Sequence, residues 1–185
     1  MKVEGFFQLY RNGQRDFRGI NLQGTLLEDV FFEESIDLSG ANLSGIRIEH
    51  SDLSNVNLCR ATLHHSEIIE VNFSGTYLEE ADFSEAYLLE VGMSFCNLRR
   101  ANLTKIQGGD ICLFGADLSD ANLVNSELSG DMRRVNFSRA NLSNTYFFYA
   151  DLSLSNLFGA NIEAIQIGAE VTLSEVILPD GSIHA

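Results

Sequence analysis

The chain has 185 residues, with 26 acidic and 12 basic side chains, a formal net charge of −14 and 45% hydrophobic residues. That excess of carboxylates opposes direct binding to nucleic acid or to an anionic membrane, both of which require basic patches. Cys59, Cys96 and Cys112 are odd in number and irregularly spaced, so they imply no disulfide framework, and Met1-Lys2-Val3-Glu4 does not open onto the apolar run of a leader or a membrane span, so a cytoplasmic protein is expected.

Residues 1–14 predict an N-terminal cap. Val3-Glu4-Gly5-Phe6-Phe7-Gln8-Leu9-Tyr10 clusters apolar residues at helical spacing, and Asn12-Gly13 is a stop signal. A short helix covering whatever follows is expected.

From residue 15 to 180 the chain keeps a five-residue beat. Leu38, Leu43, Ile48, Leu53, Leu58, Leu63, Ile68, Phe73, Leu78, Phe83, Leu88, Met93, Leu98 and Leu103 fall at every fifth position without a miss. Two residues before each central residue stands a small or β-branched one, as at Ala41, Val56, Ala61, Val71, Ala81 and Ala101. Five fits neither regular element. On an α-helix each step of five turns about 140°, which scatters the large residues, and on a flat strand an odd period alternates faces. The chain must therefore bend once per repeat, with the large residue in the centre and the small one at a crowded corner.

A second period closes the coil. Taking the residue before each central one, and counting sides in fours, the first side carries Asp16, Asp37, Asn57, Tyr77, Asn97, Asp117, Asn136, Asn156 and Ile177. The second carries Asn21, Asn42, Thr62, Asp82, Asn102, Asn122, Asn141 and Asn161. The third carries Leu26, Arg47, Glu67, Tyr87, Gln107, Glu127, Tyr146 and Gln166, with no Asn or Asp. Modulation every twenty residues predicts four sides per turn, each stacking on itself.

The typical unit, Ala41-Asn42-Leu43-Ser44-Gly45 or Ala116-Asp117-Leu118-Ser119-Asp120, resembles the pentapeptide-repeat family. The resemblance covers about residues 15–180 through about 33 repeats. It implies an all-β, right-handed quadrilateral β-helix; the handedness comes from the family. Fours of that number give about eight coils and a rod roughly 40 Å long at a strand spacing of about 4.8 Å. Arg15-Asp16-Phe17-Arg18-Gly19 and the closing Leu178-Pro179-Asp180-Gly181-Ser182-Ile183-His184 resemble cyanobacterial members. After the Pro179-Asp180-Gly181 turn, residues 181–185 form a C-terminal tail that folds back or frays.

Four irregularities interrupt the beat. Central residues lie six apart from Phe32 to Leu38 and from Ile167 to Leu173, and four apart from Leu128 to Met132, while Gly108 stands where a large residue is expected. Such slips are either tolerated insertions or bulges that re-aim side chains toward a partner.

Catalysis finds no footing in the pattern. His50, His64, His65 and His184 do not line up with a cysteine or a second histidine as metal ligands, no spacing singles out a nucleophile with its base, and Gly108-Gly109 lacks the lysine-bearing helix of a phosphate loop. No enzyme activity, cofactor or metal is expected. The surface offers two candidate sites. Outward positions of the third side carry Glu28, Asp29, Glu49, Glu67, Glu70, Glu90, Asp110 and Glu127, an acidic face on which Arg47 is the only Arg or Lys. Above it, in the seventh coil, Tyr146, Phe148 and Tyr149 project together, while Phe147 points into the core. Tyr77, Tyr87, Phe95 and Phe114 form a looser mid-rod group.

These features predict a non-enzymatic scaffold that binds another protein, with the aromatic patch also a surface for homodimerisation. The alternative is a DNA mimic. Some pentapeptide-repeat proteins protect or inhibit DNA gyrase by presenting a negatively charged rod of duplex-like size, and a column of carboxylates here would serve that end.

Overall fold

The computed structural model describes residues 2–184; Met1 and Ala185, the ends of the predicted cap and tail, lie outside the described residues. Helix α1 (Val3–Arg11) comes first. Eight short strands follow: β1 (Leu26–Glu28), β2 (Arg47–Glu49), β3 (Glu67–Ile69), β4 (Tyr87–Leu89), β5 (Gln107–Gly109), β6 (Glu127–Asp131), β7 (Tyr146–Asp151) and β8 (Gln166–Ile167). They stack in chain order into one parallel sheet, so each strand is a rung of a coil and seven coil-to-coil steps join them. The register Leu26↔Arg47↔Glu67↔Tyr87↔Gln107↔Glu127↔Tyr146↔Gln166 is the third-side column read from the twenty-residue period. Single parallel bridges mark the other sides. Asp16↔Asp37↔Asn57↔Tyr77 continues to Asn156↔Ile177 along the first, and Asn21↔Asn42↔Thr62↔Asp82 continues to Asn141↔Asn161 along the second.

The beat fills the interior. All the central residues from Leu38 to Leu103 are at most 3% exposed, and small partners such as Ala41, Val56, Ala61 and Ala81 are buried beside them. From Leu38 to Leu103 each corner is turned by a residue in the left-handed region two places after the centre, as at Arg60 (φ 58°), His65 (55°), Glu80 (59°) and Arg100 (56°). That conformation costs an L-residue about 1–2 kcal/mol, so the corners need support.

Asn and Asp supply it on the first two sides. Asn57 Oδ1 accepts a hydrogen bond from the Cys59 N–H, and Asn42 Oδ1 accepts from both the N–H and the hydroxyl of Ser44. The amide then reaches the neighbouring coil: Asn57 Nδ2 donates to Asp37 at 3.0 Å, Asn102 to Asp82 at 2.9 Å and Asn136 to Asp117 at 2.9 Å. On the third side the strand ladder does the stacking, which frees that column for long side chains.

The ends differ. At the N-terminus the wholly buried ring of Phe6 packs edge-on against Phe17, with centroids 4.7 Å apart. At the C-terminus β9 (Val176–Ile177) and β10 (Ile183–His184) make an antiparallel hairpin around the Pro179–Gly181 turn. Ile167, a central residue by count, is 48% exposed because nothing stacks fully beyond it.

The slips have local solutions. Around Glu33–Ser35 the extra residue lengthens one step, so Asp16 pairs with Asp37 whereas Asp37 pairs with Asn57. At Leu128–Met132 a corner residue is missing: Leu128 pairs with Phe147 but Gly130 pairs with Ala150, and the strand runs straight through. Gly130 makes this fit, because at φ 114° its Cα lies so close to the coil below that a Cβ would stand 2.3 Å from the Ile111 carbonyl oxygen. Gly108 is central, paired between Leu88 and Leu128. Its missing side chain leaves no void, since Ile111 Cδ1 would sit 2.3 Å from an added Cβ.

Candidate protein-binding faces

The third side presents three outward rows, one for each position that a short strand and its corner leave free. The acidic residues of this side are distributed among these rows. Glu67 and Glu127 stand in the first row with Leu26, Arg47, Tyr87 and Gln107. Glu28 and Glu49 stand in the second, which continues as Ile69, Leu89 and Gly109. Asp29, Glu70, Glu90 and Asp110 occupy the left-handed corner position, with His50 between the first two. Glu70, Glu90 and Asp110 follow one another in three successive coils, and Glu28 and Glu49 in two.

Local pairing weakens the field further. The Arg47 guanidinium bonds Glu49 at 2.5 Å and reaches Glu67 at 3.8 Å, and these carboxylates push its pKa up, Glu49 most of all. His50 Nε2 lies 3.7 Å from Glu70. The coil also gathers Glu28, Glu49 and His50, whose ligand atoms lie within 4.8 Å of one another. Counting histidines in line missed this set, because Glu28 joins it from the coil below. Glu49 of this set is already bonded by Arg47.

The aromatic patch is compact. Tyr146 and Phe148 stack with centroids 5.2 Å apart and planes 20° apart, and Phe148 meets Tyr149 edge-on at 6.2 Å. Tyr149 is 59% exposed and holds the corner at φ 48°. Tyr146 lies over Gly168 of the next coil, where a Cβ would come within 2.5 Å of its hydroxyl. The shortened corner leaves a recess of about 370 Å³ beside the patch, lined by Gly130, Asp131, Arg133, Tyr149, Asp151 and Glu170. Arg133 donates to Asp131 at 2.7 Å and holds that carboxyl below its usual range.

The looser aromatic group does not come together. Tyr77 lies on the first side and Tyr87 on the third, and only Phe95 and Phe114 meet, edge-on at 5.5 Å. On the first side and its corners four arginines are paired: Arg18 with Asp16, Arg99 with Asp117, Arg100 with Glu79 and Arg139 with Asp120. Cys96 is 1% exposed in a small inward position, and burial pushes its thiol up to about 12. No helix among the described residues is long and apolar enough to cross a membrane.

A family model described as pentapeptide repeats matches residues 36–75, 66–104 and 131–163, in 8 copies. No curated protein matches the chain. Among solved structures it is similar to HetL of the cyanobacterium Nostoc sp. strain PCC 7120, described as a pentapeptide repeat protein involved in heterocyst differentiation regulation, at 28% identity over 100% of both chains and a TM-score of 0.46. It is also similar to QnrB1, a plasmid-mediated fluoroquinolone resistance protein, at 17% identity over 77% of this chain and 90% of that one, TM-score 0.48. A third is Rfr23 of the cyanobacterium Cyanothece 51142, 21% identical over 91% of this chain and 98% of that one, TM-score 0.29.

Proposed function

This chain belongs to the pentapeptide-repeat family, and from that premise we propose that it is a non-enzymatic cytoplasmic scaffold whose flat third side binds another protein. The observation that carries the reading is exposed Tyr149, which lines the recess at Gly130 and meets the half-buried Phe148 ring edge-on. Rigid aromatics next to a concave, polar-edged hollow are the pattern of an interface anchor, and the hollow receives one side chain of the partner. Central side chains fill the interior of the rod, so binding is to its outer faces.

Phe148→Ser with Tyr149→Asn removes the rings while leaving Tyr146 on Gly168, and Asn tolerates the left-handed corner. Immobilised wild-type protein should capture a partner from the source cytoplasm at low and at high salt, and the double variant should lose it. Retention by the double variant, with loss on reversing Glu49, Glu67, Glu70 and Glu90 to Lys, would move the binding face to the carboxylates. Sedimentation of the purified protein reports whether the occupant is a second copy of the chain.

The second reading, a DNA mimic acting on gyrase, is favoured by the run Glu70, Glu90 and Asp110 at one corner position of successive coils. Against it stand Arg47 and His50, which break the acidic face in its second coil.

A further inference from the structure

Between α1 and the first coil lies a half-open cleft of about 530 Å³, walled by Phe7, Tyr10, Phe31 and Phe32 and edged by Glu28, Asp29 and Glu33. Phe31 is 65% exposed. Its place in the coil is taken in the next four coils by Asp52, Asn72, Gly92 and Cys112, all small or polar. Asp52 and Asn72 there accept a corner hydrogen bond from the N–H two residues on, at 2.8 and 3.0 Å. An outward phenyl ring forgoes that support and exposes apolar surface, so the architecture does not call for it.

The cleft already shows how it holds a cation. The Arg15 guanidinium lies 4.2 Å above the Tyr10 ring centroid and is clasped by Glu34 at 2.9 Å. Rings that offer their faces and carboxylates that offer charge are the recognition set for guanidinium and ammonium groups. Asp29 and Glu33 make no ion pair or side-chain hydrogen bond with any described residue. Against the three carboxylates stand Arg11 at the rim and, near Glu28, Arg47, which Glu49 bonds, while Arg15 is held by Glu34. From Asp29 the corner position leads on through His50 to Glu70, Glu90 and Asp110.

We propose that this cleft anchors a basic segment of a partner protein, one arginine or lysine seating against Phe31 between Glu28, Asp29 and Glu33 and the following basic residues tracking the corner carboxylates. The proposal rests on the scaffold reading and adds a second contact point, at the opposite end of the third side from the aromatic patch.

The test uses a fluorescein-labelled nonapeptide of alternating arginine and alanine, and its counterpart with glutamate for arginine, in fluorescence anisotropy against the full chain. Phe31→Asn installs a residue that this column carries elsewhere, so the melting temperature should hold or rise while affinity for the arginine peptide falls at least about tenfold. Asp29→Asn and Glu33→Gln should each cost about threefold or more, and rising salt should weaken the wild type. The glutamate peptide should not bind. Wild-type affinity in Phe31→Asn would show mere attraction to an acidic rod, and failure of wild type to bind the arginine peptide would equally overturn the proposal. Neither result touches the scaffold reading, which the partner capture with Phe148 and Tyr149 variants decides separately.

Discussion

Between Leu38 and Leu103 the coil runs without a fault, and between Gly108 and Met132 it breaks its own rule twice, yet the backbone ladder passes through both stretches. In the regular stretch each large centre stacks on the next and each corner has its left-handed residue. In the irregular one, Ile111 fills the place of an absent side chain, and Gly130 lets a shortened corner lie against the Ile111 backbone. Continuity therefore rests on coil-to-coil backbone stacking, while packing defects are compensated one coil away. The shortened corner also makes the recess beside Tyr149, so the fault and the candidate interface coincide.

The comparison breaks most sharply at the centre. Leu98→Asp puts an unpaired carboxylate among wholly buried side chains and should cost about 3 kcal/mol or more in denaturant unfolding. Leu154→Asp, at a 44% exposed left-handed corner, should be mild. Equal losses would mean that the inward register is wrong. Gly130→Ala should be nearly as harmful, about 3 kcal/mol, because the methyl meets the Ile111 carbonyl at 2.3 Å and φ is 114°. Gly19→Ala is its control, at a corner with open space around it, and should cost only about 1 kcal/mol. Gly108→Leu should lose about 1–3 kcal/mol, since Ile111 already occupies the site. A stabilised variant would show that a void remained.

Smaller effects sharpen the contrast through titration. Burial raises the Asp52 carboxyl, but hydrogen bonds from Ser54 and Asn72 outweigh it and leave the pKa low, whereas Asp131 is held low chiefly by Arg133. Both fall below their unfolded values, so the stability they contribute is present above about pH 4 and is lost as pH falls through the lowered folded values. In acid titrations of unfolding, Asp52→Asn and Asp131→Asn should each flatten that loss. Salt should diminish the Asp131 part more, because its partner Arg133 is exposed. Cys96, held protonated by burial, should react with thiol reagents only on unfolding, after Cys59 and Cys112.

Much of the architecture was legible because a repeat writes its geometry many times. The bridge partners of Asp16, Asn21 and Leu26 are the columns read from residue spacing. The N-terminal helix was legible from Phe6 and the Asn12-Gly13 stop. What one coil does to its neighbour was not. That Ile111 fills the Gly108 site depends on side-chain direction. The row each acidic residue joins follows from its offset from the central residue, a distinction lost when all outward positions of the third side are grouped as one face. The cleft at Phe31 was missed because its second wall is α1, whose seat on the first coil has no repeat to announce it. Phe31 itself was visible as the one aromatic among Asp52, Asn72, Gly92 and Cys112.

The most direct measurement on function is DNA supercoiling by gyrase with the purified protein over a range of salt. As a scaffold working through the third-side aromatics, the protein should leave supercoiling unchanged at every salt concentration. Inhibition that weakens with salt and disappears when Glu49, Glu67, Glu70 and Glu90 are reversed to Lys, in a variant that keeps its β-helical fold, would contradict this account and establish the acidic face as the working surface.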